Sequence, residues 1–402
     1  MFIGHHFVQM HGDREYIRLG VGEILDRPSL MVLDGEMRNT LGIVRGLGRK
    51  GIPITVGSNH SLGRSNFSKN VERYFIYPAE NLKAAHAVII EEIGKQKPDI
   101  LMPIFDNGWK VVFSYYEEYE RLTKIVPNPG GKLFRHFLDK AHLADTAEEY
   151  GVPIPKTFRP VSIEEAVSLS TELPYPVLLK PRVSNSGDGI IAVSNSKELL
   201  IALGKTKEMP IIQEYIEGED LELTILCDHA EPIAGATYLS LRNAPLPYGP
   251  PVACLSIKDD ILMNIGKDFL KKIGYHGVAH LDFRRDRRDG QPKLLDFNAR
   301  LAGTNEISTV TGIDFAHLQY LMAAGRTIKP CFEFELGKEF RWIFPGEMRH
   351  LAQTPDKWKT IKNLIKWKNV KMDISITDPM PHLSMVLDGI KMGLLRKKLS
   401  KN

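Results

Sequence analysis

From residue 29 onward, short apolar runs alternate with stretches whose apolar residues recur every three or four positions. The runs at 30–33, 53–56, 74–77, 99–104 and 125–126 read as strands, and segments 39–50, 82–93 and 111–119 as helices between them. In 39–50, Leu41, Val44, Leu47 and Gly48 fall on one side, Asn39 is placed to cap the start, and Gly51 stops the helix. Strands separated by helices predict a parallel sheet covered on both faces. Ligands of such sheets bind beyond the carboxyl ends of the strands. Loops 34–39 and 105–108 are therefore candidate substrate contacts, although capping and turn formation explain them nearly as well.

The run Pro127-Asn128-Pro129-Gly130-Gly131 packs turn residues into a linker. Beyond it, 133–150 reads as one amphipathic helix with Leu133, Phe137, Ala141, Ala144 and Ala147 as its stripe and Lys140 beside it. A second α/β module runs to about 325, and 325–330 closes it. The expected organisation is a 1–28 extension without clear periodicity, a 29–127 α/β domain, a 128–330 module and a basic 331–402 segment.

Two apolar strands near 277–300 carry the densest chemistry. Asp282 sits inside the run 278–283, a polar turn with Asp289-Gly290 signals a hairpin, and the return strand 293–297 carries Asp296. Pairing would place the two carboxylates side by side, which is costly unless a cation lies between them. Carboxylates with an amide oxygen suit Mg²⁺, so Asp282, Asp296 and Asn298 are candidate metal ligands, with Mn²⁺ as an alternative ion. Arg300, two residues past Asn298, points the same way on extended chain and could grip phosphate. Solvated charges at a sheet edge would look similar; the apolar setting of both aspartates favours the metal.

Upstream, an apolar strand at 176–179 delivers Lys180, and Ser184, Asn185, Ser186, Gly187, Asp188 and Gly189 follow as a small, flexible loop. Such residues let backbone N–H groups approach phosphate, and lysine adds a point charge. The lysine precedes the glycines, so this is no P-loop. Next, Gln213-Glu214-Tyr215-Ile216 leads through Glu217-Gly218 to Glu219 and Asp220, an extended hinge with acidic neighbours.

The order of these pieces, Lys140, Lys180 with its glycine-rich loop, the hinge, then the paired aspartate strands with Asn298 and Arg300, resembles the ATP-grasp superfamily, of carboxylate–amine ligase type, over about 127–325. The resemblance implies an N-terminal parallel-sheet pre-ATP-grasp domain, a two-lobed ATP-grasp module and a basic C-terminal segment. It implies that Lys140 and Lys180 touch ATP phosphates, that 184–189 forms a lid, and that Glu214, Tyr215 and Ile216 bind adenine. Asp220, or Glu219, takes the ribose, and Leu295 joins the nucleotide contacts. Asp282, Asp296 and Asn298 hold Mg²⁺, and Arg300, with Lys180, serves catalysis. Two departures stand out: both metal carboxylates are Asp where the family commonly has Glu, and Ala299 replaces the usual proline between Asn298 and Arg300. Neither removes a ligand. The implied activity is ATP-dependent ligation of a small carboxylate to an amine, against two rivals: another phosphoryl transfer or carboxylation, and a non-catalytic ATP-binding switch.

Composition narrows the picture little: 402 residues, 43% hydrophobic, 25% charged, net charge +4, as expected of a globular protein with no bulk attraction for nucleic acid. Three scattered cysteines without a C-x-x-C pair suit a reducing compartment, and no apolar run approaches a membrane span, so a cytoplasmic enzyme is expected. Positive charge concentrates in 357–402, with eleven Lys/Arg against three Asp/Glu, interleaved with Trp358, Ile361, Leu364, Ile365 and Trp367. Such a tail fits either a helix packed on the core or peripheral contact with an anionic membrane. Association with a second copy is left open.

Overall fold

The computed structural model describes residues 27–399, apart from the side chains of 390 and 392–399. The extension expected over 1–28 lies almost wholly outside the described residues, as do the side chains of the basic cluster at 394–401. Strands β1 (Leu30–Val32), β2 (Ile54–Ser58), β3 (Arg73–Ile76), β4 (Ile100–Met102) and β5 (Lys124–Ile125) form the anticipated parallel sheet, in order β3-β2-β1-β4-β5. Strand order reverses between β1 and β4, so a ligand crevice opens where their following loops separate. Asp34, fully buried after β1, binds those loops together by accepting from the N–H groups of Phe105 (2.7 Å) and Gly108 (3.0 Å). Asn39 does not cap the helix Arg38–Arg49, because the helix starts before it; its amide instead donates to the Ala302 carbonyl (2.9 Å).

The second module has two sheets. A small antiparallel sheet takes the order β6-β9-β7-β8, from β6 (Thr157–Phe158), β7 (Val177–Lys180), β8 (Ile191–Val193) and β9 (Ile211–Glu214). It has its own core, in which Val177, Leu179 and Ile212 pack on Ala166, Leu199 and Leu203 of the helices Ile163–Leu169 and Ser196–Leu203. The large sheet contains β10 (Gly218–Asp228), β11 (Glu231–Asn243), β12 (Pro251–Ile257), β13 (Gly277–Asp286), β14 (Pro292–Asn298), β15 (Glu339–Arg341) and β16 (Val370–Met372). Its apolar face shares one continuous core with the N-terminal parallel sheet.

The helix expected over 133–150 is two helices, Gly131–Leu138 and Lys140–Glu149, broken at Asp139. Asp139 adopts extended backbone and its carboxylate accepts from the Ala141 N–H (2.8 Å). Its side chain thus competes with continuous helix, as Asp does where capping is available. The break makes Lys140 the first residue of the second helix.

The C-terminal segment is woven into the fold through β15 and β16 and through Asp378. The Asp378 carboxylate accepts from Arg45 Nε (2.8 Å), the Ser68 hydroxyl (2.7 Å) and the Lys69 N–H (3.0 Å) of the N-terminal domain. Removing one partner of such a buried pair strands the other, so Asp378→Ala is expected to cost about 3–5 kcal/mol, read by denaturant unfolding. An unchanged midpoint would show that the anchor carries no stability. Trp358 and Trp367 remain 76% and 67% exposed among lysines, and no helix among the described residues is long and apolar enough to cross a membrane.

Candidate active site

The polar face of the large sheet and the inner edge of the small sheet enclose a cleft. Register puts Glu222 of β10 opposite Asp282 of β13, and Asp282 opposite Asp296 of β14, a row of three carboxylates on one face. Like charges facing across strands repel. His280 offsets part of this, its Nε2 lying 3.2 Å from Asp282 and 3.7 Å from Glu222. Burial alone would lift the Asp282 pKa, and the neighbouring His280, with the charges of Arg300 and Lys140, more than reverses that, holding the carboxyl below its ordinary value. Glu222, fully buried, is satisfied by the hydroxyls of Ser240 and Thr304 and the Cys254 thiol, while Asp282 and Asp296 stay partly open to the cleft. Asn298 completes the group, donating from its amide to Asp282 (3.2 Å). Asp282 and Asp296, open to the cleft, make a hard-oxygen pair that fits Mg²⁺ or Mn²⁺; the Asn298 amide oxygen, which here accepts from Arg300 (2.9 Å), would have to turn from it to join them. A bulge in β14, which leaves Leu295 without a partner opposite β13, turns both Leu295 and Asp296 into the cleft.

Cations face this row. Lys180 ends β7, buried, with Nζ donating to Gln213 Oε1 (2.6 Å), and Gln213 donates onward to Thr157 (2.9 Å). Burial pulls its pKa down from 10.5 to about 8. Lys140 reaches the Ser184 carbonyl (2.9 Å) and lies 3.5 Å from Asp296. Asp139 holds the start of the loop in place through Arg182 (2.6 Å). Of the predicted loop residues, Ser184, Ser186 and Gly187 line the cleft, and Asn185 lines a side recess with Asp106, Lys140 and Asp296. Gly187 has φ +75° and lies so close to the Tyr248 carbonyl that a Cβ would come within 1.9 Å of that oxygen. Gly189, with φ +73°, packs on Pro181 and stays outside the lining.

At the hinge, Glu214 and Ile216 line the cleft, while Tyr215 lies beneath Arg284, 5.8 Å from the guanidinium. The Glu214 side chain is engaged by Arg288 (2.5 Å), and along the hinge the Glu214 and Tyr215 N–H groups donate to the carbonyls of Lys156 (2.9 Å) and Pro176 (3.1 Å). Asp220 and Glu219 alternate along β10, and the structure separates them: Asp220 lines the cleft, whereas Glu219 is exposed outside it. Arg284 grips Asp220 (2.6 Å) and the Ile216 carbonyl (3.1 Å), tying hinge to sheet.

Arg300 joins the module to the N-terminal domain. It donates to Asp106 (2.7 Å), the Leu301 carbonyl (3.1 Å) and Asn298 (2.9 Å), and its guanidinium lies 3.9 Å from the Phe105 ring centre. The segment expected as a loop over 105–108 is instead the start of the helix Asp106–Ser114, followed by a second helix Tyr116–Leu122 where one helix over 111–119 was expected; it reaches the cleft through Phe105, which lines it, and Asp106. Sequence reasoning missed Gln213, Glu222, His280 and Arg284. Three of the four were within reach of strand alternation: Glu222 lies two residues past Asp220, and His280 and Arg284 flank Asp282 at the same spacing. Arg38, which also lines the cleft, lies inside loop 34–39, marked as a candidate contact because it follows the first strand of the parallel sheet.

Residues 137–304 match the profile of the ATP-grasp domain. The chain is 26% identical over 248 residues to a D-aspartate ligase of Enterococcus faecium, covering 55% of this chain and 58% of that protein. It is 25% identical over 201 residues to the arginine-specific carbamoyl phosphate synthase large chain of Bacillus subtilis, covering 48% and 19%. The chain therefore spans less than two thirds of these curated relatives. In fold, it resembles an N5-carboxyaminoimidazole synthetase from Staphylococcus aureus (TM-score 0.61, 14% identity, 78% of this chain and 80% of that one). It also resembles an L-amino acid ligase from Bacillus licheniformis (TM-score 0.56, 18% identity, 73% and 74%).

Proposed function

We propose that this chain, which belongs to the ATP-grasp superfamily, is an ATP-dependent carboxylate–amine ligase using ATP and Mg²⁺ in the cleft between its two sheets. The observation that carries this reading is the convergence of Lys140, Lys180 and Arg300 on the Asp282–Asp296–Asn298 group. The two lysines neutralise phosphate, the hinge backbone from Glu214 to Ile216 meets the adenine edge, and Asp220 takes the ribose hydroxyls. Mg²⁺ on Asp282, Asp296 and Asn298 would offset the charge of the phosphates. Arg300 steadies charge on the group in transfer, and the loop 184–189 keeps water away. A carboxylate oxygen of the acid bonds to the γ-phosphorus as the bond to ADP breaks. The amine then attacks the acyl carbon, phosphate leaves, and the amine loses a proton. The small carboxylate and amine are the partners this chemistry needs; a D-aspartate ligase among the relatives supports an amino acid as one of them.

Hydroxylamine, as a stand-in amine, tests the reading directly. ADP, phosphate and a hydroxamate are expected in equal amounts when a substrate acid is supplied with Mg-ATP. ADP release without any hydroxamate, across a panel of amino acids and small acids, would count against acyl-phosphate chemistry.

Lys180 predicts a pH dependence. Because burial lowers its pKa to about 8, the free protein holds the ammonium below that pH and gives it up above. Phosphate favours the charged form, so ATP affinity should fall by up to about tenfold per pH unit above 8, and be flat there in Lys180→Ala. Titration calorimetry from pH 7 to 9.5 would measure it; an equal slope in both proteins removes Lys180 from the phosphate site.

A further inference from the structure

Among the described arginines that are not exposed, two stand apart. Arg45, Arg159, Arg242, Arg284, Arg285, Arg300 and Arg341 each have an ion-paired carboxylate. Arg38 and Arg64 have none within 4.0 Å among the described residues, although both are withdrawn from solvent. Arg38 lines the cleft, its Nε donating to the Gly303 carbonyl (3.0 Å) and its guanidinium 4.3 Å from the Trp342 ring centre. Among the described residues, no hydrogen-bond partner takes its two terminal nitrogens. Arg64 makes no hydrogen bond among the described residues, and its helix, Arg64–Phe67, is tied to the turn before Arg38 by the Ser65 N–H on the Gly35 carbonyl (3.1 Å).

The nearby acids do not complete these cations. Glu306 accepts the Trp342 indole N–H (3.2 Å) with one oxygen, and its other oxygen is buried without a partner. Burial raises the Glu306 carboxyl to about 7, so its charge is weak near neutrality. Asp373, also raised by burial, accepts the Ile343 N–H (3.0 Å). Withdrawing a guanidinium from water without a paired anion is unfavourable, and a guanidinium fork matches a planar carboxylate.

Gly303, which anchors Arg38, lies three residues beyond Arg300, so the Arg38 guanidinium enters the cleft on the Arg300 side; Arg64 does not itself line the cleft but lies close enough that the Arg38 charge, added to burial, lowers its pKa. Resting on the ligase reading above, we propose that Arg38 and Arg64 bind a second carboxylate of the acid substrate, making that substrate a small dicarboxylic acid such as an acidic amino acid. One carboxylate is activated beside Arg300 and the other is retained on the arginine pair, which selects the acid and fixes which end reacts.

The test uses the full chain with Mg-ATP and hydroxylamine, comparing D-aspartate, L-aspartate, L-glutamate and succinate with D- and L-alanine. Hydroxamate is expected from at least one dicarboxylate at concentrations where neither alanine reacts. Arg38→Gln and Arg64→Gln should raise its KM by about tenfold or more, as loss of a charged hydrogen bond implies, and Arg38→Lys should recover part of the loss. Calorimetric binding of the same acids to the protein with Mg-ADP separates the two readings. If no acid yields hydroxamate yet a dicarboxylate binds and the Gln variants abolish it, the ligase reading fails and the anion site stands. Alanine reacting as well as the dicarboxylates, Gln variants with unchanged KM, or no binding of any dicarboxylate to the wild-type chain would each overturn the proposal. Thermal melting checks that the variants fold.

Discussion

Asp296→Asn is expected to lower turnover at limiting Mg²⁺ by more than about 100-fold with the fold intact, because even partners outside the ligand shell cost 10–100-fold. The exchange is nearly isosteric and removes one negative charge from the row Glu222–Asp282–Asp296. That row is unfavourable without a cation, and the nearest protein cation to Asp296 is Lys140 at 3.5 Å. The variant should therefore be no less stable than the parent in the absence of metal, since a repulsion is relieved. Loss of metal-dependent activity together with unchanged or improved metal-free stability distinguishes a ligand from a structural acid. Wild-type turnover across an Mg²⁺ titration would remove Asp296 from the metal site. Partial rescue by raised Mg²⁺ is the expected intermediate behaviour, as the remaining carboxylate and amide still offer oxygens.

How far the sequence foretold this site depended on whether neighbours along the chain are also neighbours in space. The β13–β14 hairpin was legible because its turn is local: Asp286 accepts from the Arg288 N–H (2.9 Å) and the Lys293 ammonium (2.6 Å), and Gly290 takes φ +72°. Once the hairpin closes, strand alternation alone brings Asp282 and Asp296 together. The parallel sheet was legible for the same reason, its strands being short apolar runs with helices between. The long helix over 133–150 was misread because its apolar stripe runs unbroken through Asp139, and only the cap on Ala141 and the grip on Arg182 reveal a break. Periodicity reports burial, and both helices bury the same face. Contacts such as Arg45 with Asp378 or Arg300 with Asp106 span 333 and 194 residues, and nothing local announces them. Asp106 was at least inside a loop marked as a candidate, because the carboxyl ends of parallel strands converge whatever the side chains are.

Arg300→Lys is expected to reduce turnover by about 100- to 1000-fold, the scale of losing one preorganised donor to a developing oxyanion, with ATP affinity little changed. Charge is kept, so any loss reports geometry. The guanidinium donates in three directions at once, to Asp106, Leu301 and Asn298, and lies against Phe105. An ammonium cannot reproduce that planar fork. Lysine would also leave Asp106, whose other oxygen is already buried without a partner, less well satisfied, so some stability should be lost as well. A purely structural strut would behave differently from a group that steadies the transferring phosphoryl, and Asp106→Asn tells them apart. That variant weakens the link between domains but keeps the guanidinium beside Asn298. If Arg300 acts on the reacting group, Arg300→Lys should lose at least about tenfold more turnover than Asp106→Asn at matched loss of thermal stability. Equal losses in the two variants would make Arg300 a strut between the N-terminal domain and β14, and the proposed charge stabilisation would then rest on Lys140, Lys180 and a bound cation.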